Sequence, residues 1–218
     1  MHEFLNTLTH NWDIFSRGFF TTLKLFVVAT VGSLALGTMT ATMRVSPVPI
    51  LRTLGAGYVS LIQNTPLTLV FAFLVFAAPK LGLDIAFEPA AYLALTVYTG
   101  AFVCETLRSG INTVPTGQGE AARALGMTFG QVLYLIVLPQ AFRTVVPPLV
   151  SVLNAMLKNT TVAAGFSVVE AGAIQAYLSE RGENQVYTLL WITLGFLAFV
   201  VPLIVVQRTL ERRWAVGR

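Results

Sequence analysis

The sequence has 218 residues, of which 55% are apolar and 11% are charged, with a net charge of +4 and a mean hydropathy of +0.72. Soluble proteins carry about 25% charged residues, so this composition excludes a soluble domain and indicates an integral membrane protein. Each helical span requires roughly 20 apolar residues, so the chain has room for several spans in one membrane domain. Because no long basic run occurs, we interpret the positive charge as an orientation signal and not as a nucleic-acid surface.

The chain begins with an amphipathic segment and a first span. Residues 1–18 are predicted to form a short helix in the membrane interface, because apolar residues recur at helical spacing from Phe4 to Phe15. The first span is predicted over residues 19–43. Four small residues are spaced four apart along it: Ala29, Ser33, Gly37 and Ala41. Such a stripe allows another helix to approach closely.

The second span is predicted over residues 54–78, and it contains the motif QNTP at Gln63–Pro66. This motif has two possible consequences. The proline either opens the helix and exposes backbone groups or produces only a kink. Gln63 and Thr65 are therefore candidate residues of a substrate pathway.

The third span is predicted over residues 90–112, and it contains the single cysteine and an ionisable pair. Cys104 lies in an apolar run and is interpreted as a packing residue. Glu105 is a candidate for meeting the ammonium group of a substrate. The alternative is a helical pair with Arg108, three residues later.

The polar segment 113–138 is predicted to be a helix-turn-helix. Pro115 suits a first helical turn, and Gly126 suits the left-handed residue that ends a helix. Thr128 and Gln131 have the capping-box spacing that begins a second helix, which is expected to end where Pro139 restarts the chain as the next span. By these signals alone, an amphipathic hairpin resting on the bilayer is also possible.

The fourth span is predicted over residues 139–166, and it is interrupted by the polar sequence LKNTT. Ionisable groups deep in a membrane normally face a cavity or a partner. The candidate site residues here are Lys158, Asn159, Thr160 and Thr161. Either they offer positive charge and hydroxyl groups to a substrate carboxylate, or the lysine only extends to the membrane surface.

The fifth span is predicted over residues 186–206, followed by a cytoplasmic tail, 207–218. The N-terminus is predicted to lie outside and the C-terminus inside, because this orientation places nine of the fourteen Lys and Arg residues in the cytoplasm. Those nine are Arg44, Arg52, Arg108, Arg123, Arg143, Arg208, Arg212, Arg213 and Arg218. Seven acidic residues then lie outside: Glu3, Asp13, Asp84, Glu88, Glu170, Glu180 and Glu183.

The 113–138 segment and its flanks carry a specific motif. Its residues are Glu120, Ala121, Ala122, Gly126 and Pro139. This pattern closely resembles the EAA loop of importer-type ATP-binding-cassette (ABC) permeases, especially the polar amino-acid permeases. The resemblance implies five spans in an all-α membrane domain, 19–206, and a coupling helix that docks on an ATPase subunit. Glu120 and Arg123 are then expected to fix the register of that helix by charged hydrogen bonds.

The LKNTT motif extends the resemblance. In polar amino-acid permeases the matching motif usually has an aspartate where this chain has Asn159, and the region is associated with the translocation pathway. Loss of that carboxylate favours an acidic substrate over a basic one. Glutamate or aspartate is therefore expected rather than arginine.

The resemblance also implies the partners. The expected complex contains two ABC ATPase subunits, a second copy or paralogue of the permease and an extracytoplasmic substrate-binding protein, in a bacterial cytoplasmic membrane with its lipids. The sequence contains no phosphate-binding loop, metal-ligand cluster or catalytic triad, so we expect a non-catalytic subunit without a cofactor, whose partner ATPase uses ATP and magnesium. A stand-alone carrier or channel and a non-transporting scaffold are the alternatives.

Overall fold

The computed structural model describes residues 2–214, which form helices joined by short turns. The α-helices are α1 His2–His10, α2 Trp12–Val45, α3 Pro49–Gln63, α4 Leu67–Ala72, α5 Phe87–Asn112, α6 Thr116–Ala124, α7 Phe129–Val132, α8 Leu138–Asn159, α9 Ile174–Glu180 and α10 Gln185–Trp214. Within residues 2–214, four continuous stretches are long and apolar enough to cross a membrane: Trp12–Val45, Phe87–Asn112, Phe129–Phe166 and Gln185–Trp214. A bent pair, Pro49–Gln63 with Leu67–Leu81, supplies the fifth span, so the predicted fold class is confirmed.

The centre of the fold is the contact between α2 and α5. The predicted small-residue stripe faces α5: Ala29 and Ser33 are fully buried, and Gly37 lies directly against Val103. A Cβ atom on Gly37 would stand 2.5 Å from Val103 Cγ1 and 2.8 Å from the Gly100 carbonyl oxygen. The stripe therefore brings the two backbones together, as expected for small residues in membrane helices.

The first helical boundary differs from the prediction. α1 ends at His10, and α2 begins at Trp12, so the second half of the 1–18 segment belongs to the first spanning helix. The break is at Asn11, whose Nδ2 atom donates to the Thr7 carbonyl oxygen at 3.1 Å and to Glu183 Oε1 at 2.8 Å. Asn11 thus ends α1 and ties it to the turn before α10. The position of α1 in the membrane interface stays a prediction.

The second span opens at QNTP. α3 and the following helix meet at an angle of 103°, which is far beyond a proline kink. Pro66 has no N–H group and disfavours helical backbone at Thr65. The Asn64 amide donates to the Ser60 carbonyl oxygen at 2.7 Å, and the Thr65 hydroxyl donates to that of Leu61 at 2.8 Å. These side chains satisfy carbonyls at the end of α3, so the broken helix remains hydrogen-bonded.

Two prolines are each preceded by a widened π-helical turn. One turn, Phe73–Ala77, ends two residues before Pro79, and the other, Leu133–Val137, ends two residues before Pro139. A proline ring clashes with the carbonyl four residues earlier, and a π-bulge is one way a helix accommodates such a disruption. The expectation that Pro139 restarts the chain was therefore wrong, because the helix continues from Phe129 through α8.

The fourth span ends at Phe166 as predicted, although α8 itself stops at Asn159 and the chain continues as a tighter 3₁₀ turn, Thr160–Phe166. The end of the last span differs from the prediction. α10 extends to Trp214, so the predicted tail 207–218 is helical over its first eight residues and its remainder lies outside the described part of the chain. The Trp214 ring lies 5.9 Å from that of Phe142, which ties the end of α10 to α8.

Candidate functional site: a helical hairpin and a groove beside α5

The predicted helix-turn-helix is present and has a well-defined turn. Gly126 has a left-handed φ of +82°, the Met127 N–H donates to the Ala122 carbonyl oxygen at 3.1 Å, and the Gly126 N–H donates to that of Arg123 at 2.9 Å. This is the Schellman pattern that ends helices. The capping box is confirmed, since the Thr128 N–H donates to Gln131 Oε1 at 2.8 Å and the Gln131 N–H to Thr128 Oγ1 at 3.4 Å. Pro115 precedes the first helical residue instead of lying in the first turn.

The hairpin formed by α6 and α7 presents an apolar tip. Ala122 is only 3% exposed, so it belongs to the interior of the hairpin. Leu125 and Phe129, on either side of the turn, are 84% and 69% exposed. Large apolar residues that protrude together are typical of an interaction site.

Charged and small residues of the motif surround this tip. Glu120, Ala121 and Arg123 are exposed on α6, as a docking helix requires. Pro139 is exposed. It lies near the start of α8, within the continuous helix that begins at Phe129, and follows the π-helical turn Leu133–Val137. Gln140 Nε2 donates to Gln118 Oε1 at 2.6 Å, so α6 is tied to the start of α8.

The substrate candidates lie along a groove between α5 and α8. Two adjoining cavities, of about 290 Å³ and 230 Å³, share Phe102 and Val152 in their walls. Gln63 and Glu105 line the first cavity, and Asn159 lines the second. The structure therefore brings three of the predicted pathway residues, from three different helices, into one groove. We call the two cavities together the α5–α8 groove.

Glu105 is held between two arginines. Arg44 at the end of α2 and Arg108 on α5 both donate to its carboxylate, and the Arg108 Nε atom lies 3.1 Å from Oε1. The predicted helical pair with Arg108 is present, and Arg44 adds a link between helices. Two positive charges surround one negative charge, which leaves a net charge of +1 beside the groove.

Comparison with known proteins identifies the family. Residues 33–216 match the family described as binding-protein-dependent transport system inner membrane component. The chain belongs to this family. It is a multi-pass permease subunit of an ABC transporter, and a stand-alone carrier, a channel or a scaffold does not fit this membership.

Relatives resemble the permease over most of its length. It is 40% identical over 213 residues to the glutamate transport system permease protein of Corynebacterium glutamicum, covering 92% of this chain and 93% of that one. It is 36% identical over 213 residues to a probable glutamine ABC transporter permease protein of Bacillus subtilis, covering 96% and 97%.

A solved structure has the same architecture. The crystal structure of an amino acid ABC transporter with histidines matches the permease with a TM-score of 0.90 and 25% identity, over 96% of this chain and 98% of that one.

The other predicted pathway residues of the permease lie apart from the groove lining. Thr160 is fully buried and its hydroxyl donates to the Leu157 carbonyl oxygen at 2.7 Å, while the Thr161 hydroxyl donates to that of Lys158 at 2.8 Å. Both hydroxyls thus bond to the end of α8. Lys158 is exposed next to Asn159, and the Thr65 hydroxyl donates to the Leu61 carbonyl oxygen at the end of α3.

Sequence reasoning missed the apolar walls of the groove and the second partner of Glu105. Phe102 and Val152 stand in apolar runs, where nothing distinguishes a groove-lining residue from a lipid-facing one. Arg44 was noticed only as an orientation charge, although an arginine at the end of a span and a glutamate in another span are an obvious pair to consider.

Glu170 was also missed as a buried group. Sequence reasoning placed it among the outer acids, but the residue is fully buried in the connection between α8 and α9. The Thr22 hydroxyl donates to its Oε2 at 2.9 Å and the Gly172 N–H to its Oε1 at 2.6 Å. Burial raises the pKa of the Glu170 carboxyl to about 7, against the opposing effect of these hydrogen bonds.

Proposed function

We propose that this permease forms the membrane pathway of an ATP-driven importer for polar amino acids, with glutamate or aspartate favoured over basic amino acids. The observation that carries the substrate class is the charge beside the α5–α8 groove. Glu105 is compensated by Arg44 and Arg108, and Asn159 is neutral. Such surroundings favour an anionic ligand over a cationic one. The glutamate permease among the relatives supports the same choice.

We further propose that the hairpin of α6 and α7 is the coupling element. Leu125 and Phe129 supply an apolar tip for a groove on the ATPase, while the exposed Glu120 and Arg123 set its register. The complex then contains two ATPase subunits, a second permease copy or paralogue and a substrate-binding protein. The permease itself takes no cofactor and catalyses no reaction, and ATP with magnesium acts in the partner ATPase.

The proposed mechanism is alternating access. Closure of the ATPases on ATP moves the hairpin, and α6 transmits that motion to α8 through the contact between Gln118 and Gln140. α8 forms one wall of the groove, so its movement opens the groove to one side of the membrane. The N-terminus is proposed to lie outside and the C-terminus inside, which places the hairpin in the cytoplasm.

Exchange of Asn159 tests the substrate class. Asn159→Asp adds a negative charge at one end of the groove, so uptake of glutamate relative to arginine should fall by about tenfold. The measurement is competition between labelled glutamate and arginine in vesicles that contain the complete complex. Asn184→Asp is the matched control, since that residue lies in the turn before α10 and outside the groove. An unchanged preference in Asn159→Asp would count against the proposed substrate class.

A further inference from the structure

The connection from α8 to α9 is fastened to α2 by a buried polar cluster. Glu170 receives hydrogen bonds from the Thr22 hydroxyl, at 2.9 Å, and from the Gly172 N–H, at 2.6 Å. The same Thr22 oxygen accepts a bond from the Ala171 N–H at 3.0 Å. Two of these three hydrogen bonds connect Thr22 of α2 with Glu170 and with the Ala171 N–H, the third lies within the 170–172 segment, and both Thr22 and Glu170 are fully buried.

The backbone around this cluster is shaped to fit the carboxyl group. A Cβ atom at Gly172 would stand 2.5 Å from Glu170 Oε1, so no larger residue fits there without a shift. Ser167 adopts a left-handed φ of +62°, which is uncommon for a residue other than glycine. A buried carboxyl group is costly unless it is hydrogen-bonded. That cost is offset here only while the segment 167–173 stays against α2.

This segment is packed against the Asn159 end of the α5–α8 groove. The Val168 N–H donates to the Ala163 carbonyl oxygen at 3.2 Å, inside the turn that follows α8. Val168 is 4% exposed and belongs to the same apolar cluster as Met156. Met156 in turn lines the cavity that contains Asn159. A displacement of Glu170 therefore reaches the groove through Val168 and Met156.

We propose that Glu170 is a positioning residue for transport, which holds the Asn159 end of the groove in place by binding the 167–173 segment to Thr22 of α2. The role in transport rests on the proposed function, whereas the mechanical link does not. None of the three bonds involves a group in the groove, so Glu170 acts on the pathway only through the position of this segment.

Thiol labelling measures the link without reference to transport. The chain has one cysteine, Cys104, which is fully buried, so an Asn159→Cys variant gains a reactive thiol while Cys104 reports on the fold. Adding Glu170→Ala to Asn159→Cys should raise the labelling rate at position 159 by about tenfold, because loss of hydrogen bonds to a carboxylate increases the population of the released segment. Cys104 should stay unlabelled.

Matched variants distinguish a displacement of the 167–173 segment from a general loss of the fold. Glu170→Gln keeps an oxygen acceptor and should restore slow labelling. Thr22→Ser should behave like the wild type, while Thr22→Val should label at least as fast as Glu170→Ala because it also loses the bond from the Ala171 N–H. Glu180→Ala removes an exposed acid from the end of α9 and should have no effect. If Glu170→Ala also makes Cys104 reactive, the labelling rate of Thr22→Val at position 159 is used instead to test the link.

The double variant and transport complete the test. Thr22→Val combined with Glu170→Ala should label no faster than Thr22→Val alone, because Thr22→Val already removes both hydrogen bonds that connect α2 with the segment, those with Glu170 and with the Ala171 N–H. Unchanged labelling in Glu170→Ala with Cys104 protected, or additive effects in the double variant, would overturn the link. Glutamate uptake by the complete complex should fall in Glu170→Ala and recover in Glu170→Gln. If Glu170→Ala does not raise the labelling rate at position 159, the link is contradicted. If it does raise that rate but the wild-type complex takes up no glutamate, only the proposed function is contradicted.

Discussion

The two faces of α5 are built in opposite ways. Towards α2, small residues bring the helices so close that Gly37 has no room for a Cβ atom. Towards α8, Phe102 and Val152 leave two adjoining cavities, and ionisable Glu105 lies beside them. Close-packed interiors resist deformation, whereas a groove with vacant volume allows one wall to move. We therefore expect the α2–α5 contact to be the fixed part of the permease and the Phe102–Val152 level of the α5–α8 contact to be the adjustable part, whereas near the end of α5 Gly110 packs closely against Val145 of α8.

The largest effect is expected from a change in the fixed contact. Gly37→Leu places a side chain where a Cβ atom already stands 2.5 Å from Val103 Cγ1, so the permease should lose about 3 kcal/mol of stability or more and fail to accumulate. Thermal unfolding in detergent and the amount of inserted protein measure this. Gly57→Leu is the control, since a Cβ atom there meets nothing within 4 Å. Equal stability of the two variants would contradict the close α2–α5 contact.

The next largest effect is expected from a change in the hairpin that leaves the membrane-spanning helices intact. Gly126→Asp forces a side chain onto a left-handed backbone at φ +82°, which costs about 1–2 kcal/mol and displaces the turn. The permease should stay inserted, while substrate-stimulated ATP hydrolysis by the complex is lost. Gly117→Asp introduces the same charge in the same hairpin at an open position and should retain stimulation. Normal stimulation in Gly126→Asp would argue against the coupling role.

A smaller effect is expected in the groove. Val152→Phe adds volume to a wall that both cavities share, so glutamate uptake should fall by about tenfold with little loss of stability. Uptake and thermal unfolding are measured on the same preparation. Val205→Phe, on an exposed position of α10, should leave both unchanged. Undiminished uptake in Val152→Phe would show that substrate does not pass through this groove.

The smallest expected effect is a pH dependence at the connection between α8 and α9. Burial raises the pKa of Glu170 to about 7, and none of the described charged side chains hydrogen-bonds its carboxyl group. A raised acid pKa means that the attached segment binds the proton more tightly than the released segment. Its attachment is therefore strongest below the usual pKa near 4.5 and weakens as the pH rises through about 7.

The direction of this pH dependence predicts the outcome of a pH titration of the labelling rate. Labelling at Asn159→Cys should be slower at about pH 6 than at about pH 8, after correction for the ionisation of the thiol with a free cysteine peptide. Glu170→Gln cannot ionise and should remove the remaining difference. A difference that persists in Glu170→Gln would assign the pH dependence to another group.

Local signals in the sequence were sufficient for much of this fold. The small-residue stripe of α2 faces its partner, and Gly126 with Thr128 and Gln131 defines the hairpin, because each depends on residues only a few positions apart. The break at Pro66 was one of two stated outcomes. The angle of 103° follows from how the two halves pack, which is not encoded locally.

The remaining features depend on contacts between distant residues. The pairing of Arg44 with Glu105 spans 61 positions, and that of Thr22 with Glu170 spans 148. In neither pair does the local sequence around one residue identify the other residue as its partner. Thr160 and Thr161 were predicted as substrate ligands because hydroxyl groups attract attention in an apolar run, but both donate to carbonyls of their own helix. Hydroxyls in membrane helices commonly bond to the backbone in this way.

The central claim is that the permease couples ATP hydrolysis in a partner to amino-acid import. The most direct test is the accumulation of labelled glutamate in proteoliposomes that contain the complete complex and enclose ATP, with wild-type permease and with Glu120→Lys. We predict accumulation that requires ATP and is abolished in Glu120→Lys, although the variant permease remains inserted. Accumulation without ATP, or undiminished accumulation in Glu120→Lys, would contradict the account.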